Sequence, residues 1–450
     1  MQRDRLDFGN GRIGKLFTAM FFPTLVGMLF NSALNICDGM FVGQRVGSDA
    51  LAAINIVAPL FLVCTGIGLM FGIGASVIGS IRLAEGNVKG ARIISTQAFI
   101  AGGVIFAAVI FISLAFTRPL LYMLGCSPRL EGLATAYLLW LTPGLLFFYL
   151  QCAGMMLIRL DGSPRFAMSI QIIAALLNIF LDWLMVYPLG MGITGASVAT
   201  SISGIVGGML VLIYFVFFSD KLKFYRLKLS MKSLRLSLRN TGYMMRIGSA
   251  TFIGELSLGL MIVIGNYVFM SRLGEDGVAA YSIGCYLFPL IFSVSNAVAQ
   301  SAQPIISYNY GANNGGRVTR TLNISVLAAV GCGLLISLIL WLGAPVLASV
   351  FLNPANAAWG IAAKGLPLLG VCAIFFALNI TFIGYYQSVE RSGRAILYML
   401  LRSLVFLLPP FLILPGILGT PGLWLSIPAS EFLTFCVVAA LYLRSRRRCA

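Results

Sequence analysis

Residues 178–200, NIFLDWLMVYPLGMGITGASVAT, set a carboxylate, an amide and a hydroxyl in apolar surroundings. Asn178 precedes Asp182 by four residues, so a helix carries both side chains on one face. The apolar run breaks at 188–190 and resumes near Thr194, which leaves Thr200 about a turn and a half into the next run. An ionised side chain at the centre of a lipid-embedded helix costs about 2.5–3.5 kcal/mol or more, so such an acid is a functional candidate by default. The plainer reading is a hydrogen-bonded polar cluster that pins two helices together.

Five ionisable residues lie deep in apolar runs: Asp38, Asp182, Glu255, Arg402 and Glu431. Asp38 has Asn35 one turn earlier on the same face. At 1.5 Å per residue Asp38 lies roughly 33 Å from the inner start of its run, and Asp182 roughly 24 Å from its own. Both belong to the outer half of the first lobe. Glu255 falls near the midplane of the second lobe, with Glu431 at similar depth from the outer side. Arg402, in the inner half, could snorkel or pair. The chain has no histidine. If protons drive it, carboxylates carry them. Two carboxylates, an amide oxygen and a hydroxyl at Asp38, Asn178, Asp182 and Thr200 would equally make an oxygen cage for a small cation. Glu255, Asn35 and Glu431 are the candidates for a substrate cavity.

The elements that must position these groups are helices. The chain is 59% hydrophobic and 10% charged with mean hydropathy +0.95, against about 25% charged in soluble proteins. Apolar runs longer than a barrel strand recur throughout, so the fold class is all-α integral membrane. Twelve spans are expected, near 16–42, 51–80, 93–117, 132–158, 166–187, 194–218, 247–271, 278–307, 321–350, 365–388, 395–415 and 422–443. The polar start, MQRDRLDFGNGRIGK, leads into a run too long for a cleaved signal core. Net charge is +17. Basic residues cluster between apolar runs, which speaks against nucleic acid. With the N-terminus inside, 25 of 31 fall on the inner side, 5 on the outer and Arg402 within a span. This bias places both termini in the cytoplasm. Nine scattered cysteines without ligand spacing read as core residues, not disulfides or a metal site.

Residues 219–246 form the one long polar linker. It is basic, and reads either as solvated or as lying on the anionic inner leaflet. It divides 1–218 from 247–450, six spans each. VGSDALAAINI at 46–56 matches LGEDGVAAYSI at 273–283, an offset of 227 that GITG at 192–195 and GTPG at 419–422 share. Two six-helix lobes related by a parallel pseudo-twofold repeat follow. The acids do not repeat: at that offset Asp38 meets Gly265, Asp182 meets Pro409 and Glu255 meets Met28. GIGLMFGIGASVIG at 66–79 reads as close helix packing, not a phosphate loop. No Walker motif and no clustered nucleophile or metal set is present, so neither an ATP-driven pump nor an enzyme is expected, and no cofactor. A channel would build its pore from a ring of similar elements.

Three stretches carry a family resemblance: CDGMFVGQRVGSDALAAIN at 37–55, NIFLDWLMVYPLGMGITGASVATSIS at 178–203 and QPIISYNYGANNGGRV at 303–318. The chain resembles bacterial transporters of the multidrug and toxic compound extrusion (MATE) family over nearly its whole length. The resemblance implies two six-helix lobes around a V-shaped cavity and antiport of drugs or organic cations against protons or sodium. It assigns Asp38, Asn178, Asp182 and Thr200 to the first lobe's proton or cation site, and Glu255 to the acidic position of the seventh span. Two departures stand out. The family often has Asp-Pro where this chain has Asp182–Trp183, and 365–388 lacks the acid that some sodium-coupled members carry. The implied protein is a multi-pass monomer of the bacterial cytoplasmic membrane with small-molecule partners, a lipid bilayer around it and no nucleic acid. The other reading within transport is a flippase for a lipid-linked cell-wall or polysaccharide precursor, which would need a basic cavity.

Overall fold

The computed structural model describes residues 6–46, 48–228 and 230–447, and among them every regular element is a helix. Lipid leaves no water to satisfy backbone groups, so apolar runs of this length close their hydrogen bonds within helices. α1 (Ile13–Arg45), α2 (Ser48–Ala84) and α3 (Val88–Gln97) follow the N-terminal turn. A π-helical turn at Ala98–Gly102 joins α3 to α4 (Gly103–Ala115), after which come the short α5 (Thr117–Met123), α6 (Glu131–Leu160), α7 (Pro164–Val186) and α8 (Gly192–Ile213). α9 (Met231–Gly311) is followed by α10 (Gly315–Phe351), α11 (Ala357–Gly370), α12 (Cys372–Ser388), α13 (Ser392–Leu400), α14 (Leu408–Leu418) and α15 (Thr420–Arg447). A π-helical turn at Leu401–Val405 interrupts α13–α14.

Ten described helices are long and apolar enough to cross a membrane, and the pair α11–α12, bent by 40°, makes an eleventh. The 81 residues of α9 are not one rod. Gly274 breaks it with φ +67°, ψ −153°, a conformation open to glycine and costly for other residues.

The helices group into two compact units. One ends at Leu256 and resumes over Pro304–Val318; the other holds Ser257–Gln303 and the described residues from Thr319 on. In the first unit α6 packs along α2 and α8, and α7 along α1 and α8. Small residues make these approaches possible, because helices in lipid gain stability mainly from close contact. A Cβ on Gly72 would lie 2.9 Å from the Ala153 Cα, and one on Gly144 would run into the Ser201 backbone. The GIGLMFGIGASVIG run therefore packs α2 against α6 and, at Gly74, against Met244 of α9.

The first unit also gathers its polar ends. The Asp161 carboxylate, just past α6, accepts from the backbone N–H groups of Asp220, Lys221 and Leu222 at 3.0–3.1 Å and from the Tyr214 hydroxyl at 2.8 Å. At the other end of the unit's sequence, Arg317 donates to the carbonyls of Phe8 at 3.1 Å and Gly11 at 2.7 Å, and Asn309 donates to Phe8 at 3.0 Å. In the second unit Phe269 stacks on Tyr281 and Trp424 meets both edge-on, with Gly365 leaving room for the indole.

Candidate functional site

One tight turn and one close helix approach place the first-lobe candidates. α7 ends at Val186, and the chain reverses over residues 188–191 into α8, with Gly190 at φ +61° and Gly192 at φ +60°. Gly195 then lets α8 lie directly on Met185 of α7. This hairpin brings Thr200 beside Asn178. On the other side, Gly27 of α1 leaves space that the Gln171 side chain of α7 fills. α1 can therefore lie along the α7 face that carries Gln171, Asn178 and Asp182, residues spaced seven and four apart.

Asn178 and Asp182 are fully buried. The Asn178 amide nitrogen donates to Asp182 Oδ2 at 3.0 Å, and its oxygen accepts from the Thr200 backbone N–H at 3.3 Å. That same end of the amide lies 3.4 Å from Thr200 Oγ1, whose own proton goes to the Ala196 carbonyl at 3.0 Å. From α1, the Asp38 carboxyl lies within hydrogen-bond reach of Asp182. Asp38 Oδ1 and Asp182 Oδ1 are buried without a hydrogen-bond partner among the described residues. The structure thus brings together Asp38, Asn178, Asp182 and Thr200, four residues drawn from three helices. α7 runs unbroken through Asp182, and Trp183 turns outward, 47% exposed. The side chain of Asn35 lies outside the described residues.

Two neighbours were not evident in the sequence. Tyr137 of α6 is buried and near enough to both acids to interact electrostatically. Gln171 has a buried side-chain oxygen without a partner among the described residues, two turns along α7 from Asn178 and three from the acid. A tyrosine and a glutamine in apolar runs read as ordinary core and capping residues, so composition alone gave no signal.

Glu255 is buried in α9 within the first unit. Its Cβ would lie 3.5 Å from a Cβ on Gly66 of α2, and it is electrostatically close to Cys152 of α6. Glu431 is different. Its Oε1 accepts from Arg402 Nε at 2.6 Å and its Oε2 from Asn379 Nδ2 at 2.8 Å, all three buried in the second unit. The Arg402 guanidinium lies 4.0 Å from the Phe376 ring centroid. The carboxylate expected to face substrate is thus already matched by a cation, and the arginine expected to snorkel or pair does the latter. No group of three His, Cys, Asp or Glu that could hold a metal ion occurs among the described residues.

The chain is similar to known transport proteins. A multidrug export protein, MepA, of Staphylococcus saprophyticus is 23% identical over 93% of this chain and 90% of its own. Its Staphylococcus aureus namesake is equally similar, 23% over the same shares. Among solved structures, a MATE transporter of Vibrio cholerae superposes with TM-score 0.89 at 20% identity, over 97% of both chains. A MOP-superfamily transporter from Pyrococcus furiosus, reported with reversed binding-pocket polarity, gives TM-score 0.88 at 21% identity over 98% of this chain and 97% of its own. The MatE family model matches residues 23–184 and again 251–412, once in each half and together most of the sequence, so the chain belongs to the MatE family.

Proposed function

We propose that this protein is an ion-coupled exporter of amphipathic, cationic drugs and toxic compounds in the bacterial cytoplasmic membrane. It works as a monomer by alternating access, with both termini in the cytoplasm. Its spans number twelve on this reading, in two six-span lobes related by a parallel pseudo-twofold repeat, which the break of α9 at Gly274 and the bent α11–α12 pair support.

The observation that carries this reading is the pairing of Asp38 with Asp182 beside Asn178 and Thr200. Two carboxyls facing each other between α1 and α7 can share one proton, and without it they repel. A proton taken up there lets the helices close, and its loss pushes them apart. A ligand shifts a conformational equilibrium only by its difference in affinity for the two states, and this pair supplies such a difference. Residues 365–388 lack the acid that some sodium-coupled members carry, which favours a proton over a metal cation. Sodium is the second reading, favoured by the unpartnered Oδ1 atoms of both acids. Glu255, buried against α2 and α6, is the substrate-facing acid on this reading.

The test is efflux of a cationic dye from proteoliposomes under separately imposed proton and sodium gradients, with dye binding measured in parallel. Asp38→Asn and Asp182→Asn should both lose gradient-driven efflux while still binding dye. Glu255→Gln should weaken the cationic dye about tenfold, roughly 1.4 kcal/mol, and a neutral substrate little. Wild-type efflux from both aspartate variants would reject the coupling site.

A further inference from the structure

Residues 231–246, the first part of α9, form an amphipathic helix turned inside out. Ser230 caps it by accepting from the Ser233 N–H at 3.2 Å. Such a helix ordinarily turns its apolar stripe to the protein. Here the polar stripe faces inward. Ser237 Oγ accepts from Gln97 Nε2 at 2.8 Å, and Asn240 Nδ2 donates to Gln97 Oε1 at 2.9 Å. Thr241 and Met244 are buried on the same side. Met231, Leu234 and Leu238 are left outward, 80%, 55% and 65% exposed. With about 100° per residue, Lys232, Arg235, Arg239 and Arg246 fall in a second exposed stripe beside them.

The partners fix the depth of this face. Met244 lies against Gly74, ten residues or about 15 Å inside the end of α2 at Ala84. Gln97 is nine residues, about 14 Å, inside the start of α3 at Val88. Counting back along α9, Met231 comes level with the α2–α3 turn to within about 5 Å. The exposed leucines therefore lie near the end of two apolar spans, Ala52–Ala84 and Val88–Ala115. Apolar side chains there enter the acyl boundary, and the bases beside them reach the phosphate layer. Lys221, Lys223, Arg226 and Lys228, all exposed, precede the helix, with Asp220 the one acid in 219–246.

We propose that residues 231–246 dock anionic phospholipid of the leaflet that flanks the α2–α3 turn. Met231, Leu234 and Leu238 seat the acyl chain, and Lys232, Arg235 and Arg239 bind the headgroup phosphate. The Gln97 pair with Ser237 and Asn240 holds the face outward. The surface is a lipid site in its own right and its test does not involve transport.

The full chain in neutral detergent is titrated with fluorescent phosphatidylglycerol and, separately, fluorescent phosphatidylcholine. Phosphatidylglycerol should bind tighter, with affinity falling as salt rises. The triple variant Lys232→Gln, Arg235→Gln, Arg239→Gln should bind phosphatidylglycerol on the order of 10–100-fold more weakly. Arg320→Gln, Arg391→Gln, Arg444→Gln removes the same charge elsewhere and should bind like wild type. Leu234→Ser with Leu238→Ser should weaken binding and leave its salt dependence unchanged. Competition by millimolar inorganic phosphate would mean a free-anion site and overturn the proposal. So would equal loss in both triple variants, which would show only bulk charge attraction. Elution volume and melting temperature of each variant separate loss of the site from loss of folding.

Discussion

At the scale of single residues, charges in this protein are matched both in the buried core and at the exposed N-terminal turn. Arg402 and Glu431 match each other, and the match extends through Asn379 and the Phe376 ring. Removing one partner leaves the other charge buried and alone, which costs about 3–5 kcal/mol, whereas replacing both with apolar residues of similar volume is often neutral. Glu431→Gln should therefore lower the melting temperature in detergent sharply, and Arg402→Met with Glu431→Met should recover most of it. A double variant as unstable as the single one would mean the pair does more than neutralise itself. Asp7 shows the mild case, outside the spans. Asn10 donates to its Oδ2 at 3.1 Å, and Gly9 and Asn10 N–H groups to its Oδ1, so its carboxyl is held below the usual range. A lowered acid stabilises the fold above its unfolded pKa of about 3.9, and that contribution fades as pH falls. Amide exchange at Gly9 and Asn10, corrected for the intrinsic rate, should rise below pH 4 and not between 6 and 8. The Asp7→Asn variant should show no such rise.

At the scale of elements, contacts that position the site depend on missing side chains. Gly144 of α6 lies on the Ser201 backbone of α8, and Ser201 Oγ donates to the Leu141 carbonyl at 3.0 Å. Tyr137, two turns before Gly144, meets the aspartates from the same helix face. Gly144→Ala adds a methyl where backbone already sits, so about 1–3 kcal/mol of stability should be lost, with efflux falling as α6 shifts. Gly132 in the same helix has nothing within 4 Å of its missing Cβ, and Gly132→Ala should be neutral or slightly stabilising. Equal melting temperatures for the two variants would remove the packing argument. The helices themselves were legible because apolar length is a strong signal. Asp38 and Asp182 were legible because charge in an apolar run is conspicuous. The Arg402–Glu431 pair was not, since its members are 29 residues apart and lie on different helices. Nor was the 40° bend at α11–α12, which follows Pro367 and Gly370 inside a run that reads as one span. Glu255 reads from its sequence position as a residue of the second half, yet α9 delivers it into the first unit.

At the scale of the whole molecule, the distribution of basic charge sets the orientation. The basic residues crowd one side of the expected spans, so residue 230 and both termini should face the cytoplasm. Ser230→Cys in a cysteine-depleted chain should resist a membrane-impermeant thiol reagent in intact cells and react in inverted vesicles. Labelling in intact cells would reverse the orientation and with it the direction of export.

The clasp of Arg317 on Phe8 and Gly11 also bears on how the protein is made. Gly11 leaves the ribosome 306 residues before its partner arginine, which at about 5–20 residues per second is roughly 15–60 s. Throughout that interval the α2 end at Ile81 lacks Gly311, and the N-terminal turn lacks Asn309 and Arg317. Most of the second unit's α9 segment must enter the membrane before the first unit can close. Biogenesis of the two is therefore interleaved: a nascent chain halted at the end of α8 should remain protease-sensitive at its N-terminus, and one extended past Arg317 should not.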